Sequence, residues 1–215
     1  MKQVIFFDLD GTITDPMEGI TNSVAYALAA YGISVEDKNT LCKFIGPPLK
    51  ESFIRYYGFD NEKAEAAVWK YREYFKEKGI FENKVFAGVL EMLEHLKAAG
   101  KKVILATSKP TPYAIRILEH FGLRQYFDDV QGSNMDGTRV EKAEVIAYAM
   151  KQNDVIDPAV AIMVGDREHD IIGGKRCGME TVGVLFGYGS EEELEAQGAD
   201  YIVADMKALE RLLMQ

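Results

Sequence analysis

A short stretch near the amino terminus, Asp8-Leu9-Asp10-Gly11-Thr12, brings together two carboxylates, a glycine and a hydroxyl. It directly follows Gln3-Val4-Ile5-Phe6-Phe7, an apolar run that reads as a strand buried on both faces. The carboxylates therefore sit at a strand's carboxyl end, the edge where open α/β sheets bind ligands. Residues two apart on an extended chain point the same way, so Asp8 and Asp10 face one site if the chain stays extended through Leu9. Like charges that close need a cation or a proton between them. Taken alone, the stretch also fits a solvated loop built around a turn glycine.

A second cluster repeats the arrangement. Val160-Ala161-Ile162-Met163-Val164 reads as another buried strand and runs into Gly165-Asp166-Arg167-Glu168-His169-Asp170. If the two strands are neighbours, Asp8, Asp10 and Asp166 converge into a hard-oxygen site of the kind that suits Mg2+. Asp170 fits either the outer shell of that site or the cap of the helix that follows. His169 reads as a surface histidine, and Glu168 stays open between site and solvent.

Two further segments add groups suited to anions. The run Lys102 to Ala106 leads into Thr107-Ser108-Lys109, where a hydroxyl and free N–H groups ahead of a helix form either a phosphate cradle or an ordinary helix cap. Lys142 opens the helix that carries Val145, Ile146 and Ala149. A lysine there opposes the helix dipole, which suggests an anionic partner.

The elements that must position these groups alternate. Thr181 to Leu185 is a fourth strong strand pattern, and Asp128 to Gln131 and Tyr201 to Val203 are weaker ones. Helical periodicity lies between them, with Val89, Leu93 and Leu96 ahead of Gly100, and Ile117, Leu118 and Phe121 ahead of Gly122. Strand alternating with helix predicts an α/β fold, a Rossmann-like parallel sheet with helices on both faces. Residues 16–80 break the alternation. Ile20, Val24, Ala27, Leu28 and Tyr31 mark one amphipathic helix, Ala64, Ala67, Val68, Tyr71 and Tyr74-Phe75 mark another, and Gly46-Pro47-Pro48 lies between. The expected organisation is a core of residues 1–15 and 81–215 with an all-helical insert at 16–80.

Composition narrows the partners. The chain has 215 residues, 47% of them hydrophobic, and a formal net charge of −9. An acidic protein repels a nucleic-acid backbone, so no nucleic-acid polymer is expected, whereas a small phosphorylated molecule remains compatible with a local cationic or metal site. Cys42 and Cys177 lack C-x-x-C spacing, which argues against a disulfide framework and a zinc site. No segment has the length of a membrane span or the form of a secretory signal, so a cytoplasmic location and no membrane partner are expected. Oligomeric state is open between monomer and homodimer.

These four segments, in this order and at these strand and helix ends, resemble the haloacid dehalogenase-like (HAD) phosphatase superfamily along essentially the whole chain. D-x-D-G-T at Asp8 to Thr12 is its most specific signature; Thr107-Ser108, Lys142 and G-D-x-x-x-D at Gly165 to Asp170 match the rest. The resemblance implies a Mg2+-dependent phosphatase. In it Asp8 is the nucleophile and forms an aspartyl-phosphate. Asp10 is the general acid and then the base, and its backbone carbonyl also reaches the metal. Gly11 and Asp170 support, and Thr12 orients Asp10. Thr107 and the Ser108 N–H hold the phosphoryl group, with Lys142 neutralising charge, and Asp166 completes the metal site with Asp8 and Asp10.

The family's true dehalogenases lack the second aspartate, so Asp10 argues for a phosphate substrate. The insert stands where the family places its smaller cap, with Gly46, Lys50 and Arg55 as candidate substrate contacts. Tyrosines 56, 57, 71 and 74 read as packing. Gly132, Arg139 and Tyr188 fall near element ends that could line the entrance. The closest group contains phosphoglycolate phosphatases and 5′-nucleotidase-like phosphatases, making phosphoglycolate and nucleoside 5′-monophosphates the leading substrates. A β-phosphoglucomutase-like phosphotransferase is the alternative enzyme, and a non-catalytic phosphate-binding regulatory module the alternative of another class.

Overall fold

A computed structural model describes residues 2–215, which divide into two compact units, 2–15 with 85–215, and 16–84. The first unit is built on strand β1 (Val4–Phe7). The chain leaves it through the two-residue strand β2 (Thr14–Asp15) and enters the insert, which carries helices α1 (Met17–Ala29), α2 (Leu49–Tyr57) and α3 (Asn61–Tyr74). It returns through β3 (Lys84–Val85), and β2 and β3 form a separate two-stranded sheet. The core then runs α4 (Val89–Ala98), β4 (Lys102–Pro110), α5 (Thr111–His120), β5 (Asp129–Ser133), α6 (Lys142–Gln152), β6 (Ala161–Gly165), α7 (Glu168–Arg176), β7 (Glu180–Val184), α8 (Glu191–Ala196), β8 (Tyr201–Val203) and α9 (Met206–Leu213).

The main sheet has the order β5-β4-β1-β6-β7-β8, and every neighbouring pair is parallel. Parallel strands must be covered on both faces, which is why these runs are continuously apolar instead of alternating. Val4, Phe6, Ile104, Ala106, Ala161 and Met163 pack with Val145, Ile146 and Ala149 of α6. Strand alternation turns Ile5, Phe7, Val103, Leu105, Ile162 and Val164 to the other face, where they are equally buried. Each such side chain contributes roughly 1.5–3 kcal/mol of burial.

β1 lies between β4 and β6, with Val4 level with Lys102 on one side and Ala161 on the other. That register brings the carboxyl ends of all three strands to one edge. β4 is longer than its apolar run predicts. It continues through Thr107 to Pro110, so Thr107 and Ser108 are strand residues and the helix cap falls to Pro110. The register against β5 shifts there, pairing Thr107 with Gly132 and then Pro110 with Ser133. Ser108 and Lys109 form an irregularity in β4 of the kind that re-aims side chains.

The insert is helical apart from the strand residue at its carboxyl end. Phe44, Phe53, Tyr56, Tyr57 and Phe59 form one ring cluster, and Tyr71 stacks on Phe75. Those tyrosines are thus packing residues of the insert. α2 is an addition to the two helices legible in the pattern. The insert's boundary lies at Lys84 instead of residue 80, with Glu82 accepting from Asn22 and Tyr74 within the insert. Among the described residues no helix is long and apolar enough to cross a membrane.

Candidate active site

The chain between β1 and β2 turns sharply. The N–H groups of Thr12, Ile13 and Thr14 all donate to Leu9 O, and Gly11 N–H donates to Thr14 O. Gly11 has φ +86° and lies against Asp166; a Cβ there would fall 2.2 Å from Asp166 Oδ2. Glycine is required twice over, by backbone conformation and by the approach of a carboxylate.

Asp8, Asp166 and Asp170 are buried, and each offers a carboxylate oxygen within 4.8 Å of the others. One ammonium serves two of them: Lys142 Nζ lies 2.7 Å from Asp8 Oδ1 and 2.8 Å from Asp170 Oδ1, and donates to Ala106 O at 3.2 Å. Both carboxylate contacts are close, buried ion pairs. The lysine's position at the first residue of α6 is accounted for by these anions. Burial lowers its proton affinity, but Asp170 and Asp8 outweigh that, so its pKa is raised and it stays charged.

Of the two roles considered for Asp170, the structure shows the helix cap. Its Oδ2 accepts the Arg167 N–H at 3.1 Å, capping α7, while the carboxylate also belongs to the buried acidic group. Asp166 accepts the Tyr188 N–H on Oδ2 at 2.7 Å, and Thr12 Oγ1 lies 3.5 Å from its Oδ1. Thr12 therefore faces Asp166, where the resemblance had it orienting Asp10. Burial, then the charges of Asp170 and Asp8, push the Asp166 carboxyl well above the usual carboxylate range. Asp170 is raised as well, by burial against the opposing pull of Lys142.

Asp10 goes elsewhere. Its side chain is not in the three-carboxylate group; Oδ2 lies 2.7 Å from Lys109 Nζ, and Oδ1 is buried without a hydrogen-bond partner. Burial raises its pKa, with Lys109 pulling the other way. Thr107 and Ser108 end β4 at the same sheet edge, and Thr107 Oγ1 accepts the Lys109 N–H at 3.3 Å.

Three carboxylates and one lysine leave excess negative charge in a buried space, which calls for a cation or for protons. All the side-chain donors are hard oxygens, which fits Mg2+ and not a soft metal.

Lys109, Gly187 and Gly189 are not singled out by the sequence, where Tyr188 reads only as a candidate for the entrance. Lys109 was seen only as part of a strand end. Gly187-Tyr188-Gly189 wraps Asp166: a Cβ on Gly187 would fall 2.4 Å from Asp166 Cβ, and one on Gly189 2.0 Å from Asp166 O. The available signal was a G-x-G just after a buried strand, at the edge already carrying the other groups. Tyr188 O–H also hydrogen-bonds Asp15 Oδ1.

The remaining candidates are distributed as follows. Arg139 (φ 51°) donates to Gly132 O at 2.9 Å and stacks on Tyr148. Gly132 lies against the backbone of Lys109, where a Cβ would be 2.2 Å from Lys109 O. Glu168 N–H donates to Glu193 Oε1, and His169 is half-buried. In the insert, Gly46 has φ +99°, Lys50 pairs with Glu65 at 3.5 Å, and Arg55 lies over the Tyr56 ring. Cys42 and Cys177 are free thiols.

The family model for haloacid dehalogenase-like hydrolases matches residues 5–184. The chain belongs to this family. A 5′-nucleotidase of Pseudomonas aeruginosa is 45% identical over 97% of this chain and 94% of its own length. A predicted phosphatase from Clostridium acetobutylicum has a crystal structure that superposes with a TM-score of 0.97 at 48% identity, covering 100% of this chain and 99% of that one. A protein named tyrosine-protein kinase PtkA, from Mycobacterium tuberculosis, is 39% identical over 90% of this chain and 65% of its own length. This HAD hydrolase is an enzyme of the phosphatase kind, and its acidic group occupies the edge at which its fold carries the matched motifs.

Proposed function

We propose that this HAD enzyme is a magnesium-dependent phosphomonoester hydrolase that works through an aspartyl-phosphate on Asp8. The observation that carries the reading is the separate pairing of the two aspartates after β1, Asp8 with Lys142 and Asp10 with Lys109. Two carboxylates in different electrostatic settings suit two different tasks.

Asp8 and Asp166, with the backbone carbonyl of Asp10 and Asp170 beside them, would hold Mg2+, which supplies positive charge against the phosphoryl oxygens. A carboxylate oxygen of Asp8 forms the new bond to phosphorus as the bond to the leaving oxygen breaks. Asp10, its proton affinity raised by burial, gives its proton to that leaving oxygen. Thr107 and the Ser108 N–H hold the phosphoryl oxygens, and Lys142 stays cationic beside Asp8 throughout. In the second half Asp10, now a carboxylate, takes a proton from water as the water oxygen bonds to phosphorus. The Asp8–phosphorus bond breaks, releasing inorganic phosphate.

Nucleoside 5′-monophosphates are the favoured substrates, supported by the 45% identity to a protein named 5′-nucleotidase. Phosphoglycolate comes second, because the relative named for it is 25% identical. The insert, acting as a cap, is the segment left to choose the leaving group, with Gly46, Lys50 and Arg55 its candidates. The test is a release assay for inorganic phosphate over nucleoside monophosphates, phosphoglycolate, sugar phosphates and phosphotyrosine, with Mg2+ or with chelator. Metal-dependent release that is highest on a nucleoside monophosphate is expected. Release unaffected by chelator overturns the metal assignment. No release from any of them, by folded protein with Mg2+, overturns the hydrolase reading.

A further inference from the structure

The pairing of Asp10 raises a question that the four matched motifs do not answer. A carboxylate that serves a leaving oxygen must be held still, and the turn after β1 holds the backbone of Asp10 but not its side chain. The only ion pair on that side chain among the described residues is Lys109 Nζ to Oδ2, at 2.7 Å, with both side chains about nine-tenths buried. Oδ1 stays free of any hydrogen-bond partner.

Lys109 is itself placed with care. It lies in the irregular stretch of β4, where the pairing with β5 jumps from Thr107–Gly132 to Pro110–Ser133. Ser133 Oγ donates to Ser108 O at 2.8 Å, and the Lys109 N–H is turned to Thr107 Oγ1 at 3.3 Å. Gly132 leaves room for Lys109 O, which a Cβ would approach to 2.2 Å. An unbroken β4 would alternate its side chains across the sheet; the irregularity lets a lysine at this edge reach the neighbouring strand's Asp10.

We infer that Lys109 is a positioning residue for the reaction: by holding Oδ2 of Asp10 it fixes the carboxylate so that Oδ1 is presented to the leaving-group oxygen. The inference rests on the acid role proposed for Asp10 and extends it to a residue outside the matched motifs.

This role makes a prediction that a purely structural role does not. The loss of Lys109 must scale with how much the leaving oxygen needs a proton. Alkyl phosphates such as nucleoside monophosphates need it, whereas p-nitrophenyl phosphate expels a stable phenolate and needs it little. kcat/KM reports the step up to phosphoryl transfer, so a shared slow hydrolysis of the phospho-enzyme does not mask the difference. General acid catalysis is worth roughly 10²–10⁴-fold, and losing its alignment should remove part of that. In the Lys109→Met variant, kcat/KM is expected to fall roughly 10–100-fold on a nucleoside monophosphate and several-fold at most on p-nitrophenyl phosphate. Lys109→Arg, which keeps the cation, should show the same ordering with a smaller gap, and stands in if the methionine variant does not fold. Asp10→Asn is measured alongside.

Equal losses on both substrates, or no loss on either, in a folded Lys109 variant overturn the inference. If Asp10→Asn separates the two substrates and the Lys109 variants do not, the inference alone fails. If Asp10→Asn does not separate them either, the acid role of Asp10 fails with it.

Discussion

The two edges of the main sheet use the same residue type in opposite ways. At the amino-terminal edge, Asp128 accepts the Val103 N–H at 2.7 Å and pairs with Lys97 of α4. Asp200 does the same with the Thr181 N–H and Lys175. Burial works against both charges, but the lysine and the strand N–H outweigh it, and both carboxyls titrate below their ordinary value. At the carboxyl-terminal edge, Asp10, Asp166 and Asp170 are pushed up, because burial is deeper and like charges crowd them. One edge has aspartates matched to its lysines and N–H groups and is built to hold. The other has carboxylates in excess of its cations and is built to take up a cation or a proton.

Removing charge from each edge tests the contrast. Asp8→Asn should show the largest effect, a fall in kcat/KM on the order of 10⁴-fold or more, with the melting temperature and circular dichroism close to wild type. Activity near wild type in that variant would remove Asp8 from the nucleophile's place. Asp166→Asn should lower activity roughly 10²-fold or more. Without metal it should melt higher than wild type, since one of three crowded carboxylates is gone, and Mg2+ should raise its melting temperature less. An unchanged Mg2+-dependent shift, read by calorimetry, would take Asp166 out of the metal site.

Gly187→Ala asks whether the packing around Asp166 matters by itself. The added methyl meets both Asp166 and Gly11 O, and overpacking of this kind costs roughly 1–3 kcal/mol. Denaturant unfolding should show that loss, together with weaker Mg2+ dependence of activity. The smallest effect belongs to the other edge. Asp128→Asn should leave kcat and KM unchanged and lower the melting temperature at pH 7. A carboxyl depressed in the folded state stabilises above its unfolded pKa and loses that contribution as pH falls through the folded value. The gap between variant and wild type should therefore narrow on acidification below the ordinary 3.8. A gap that persists or widens there would break the contrast between the edges.

The sheet was legible in the sequence because buried parallel strands are apolar without interruption, and Phe6-Phe7 and Ile162-Met163-Val164 have no other reading in an α/β chain. Asp8, Asp166 and Lys142 were legible for a related reason: charge placed directly after a buried strand, or on the wrong end of a helix dipole, has no packing purpose. What escaped depends on tertiary geometry. That Asp10 leaves the acidic group for Lys109 follows from an irregular register between β4 and β5, which no spacing within β4 encodes. That Thr12 faces Asp166 follows from the tight turn over Leu9. The short helix α8 lies in an acidic stretch with one buried residue, Leu194, so its periodicity is faint, whereas α9 is strongly amphipathic, buries Leu209 and Leu213, and is legible in the sequence. Ser190 and Asp205 cap them, accepting the N–H groups of Glu193 and Ala208.

The position of β1 also has a consequence for synthesis. It leaves the ribosome well ahead of its partners, β4 and β6, which begin at Lys102 and Ala161. At about 5–20 residues per second, the nascent Asp8 and Asp10 wait on the order of ten seconds or longer for β6, and for Asp166 just beyond it. Until then β1 is an apolar strand with both edges unpaired, the state most open to misassociation. The intervening helical segment can fold during that wait, since its contacts are local. The newborn chain should thus gain phosphatase activity late and all at once, when β6 and Asp166 have emerged.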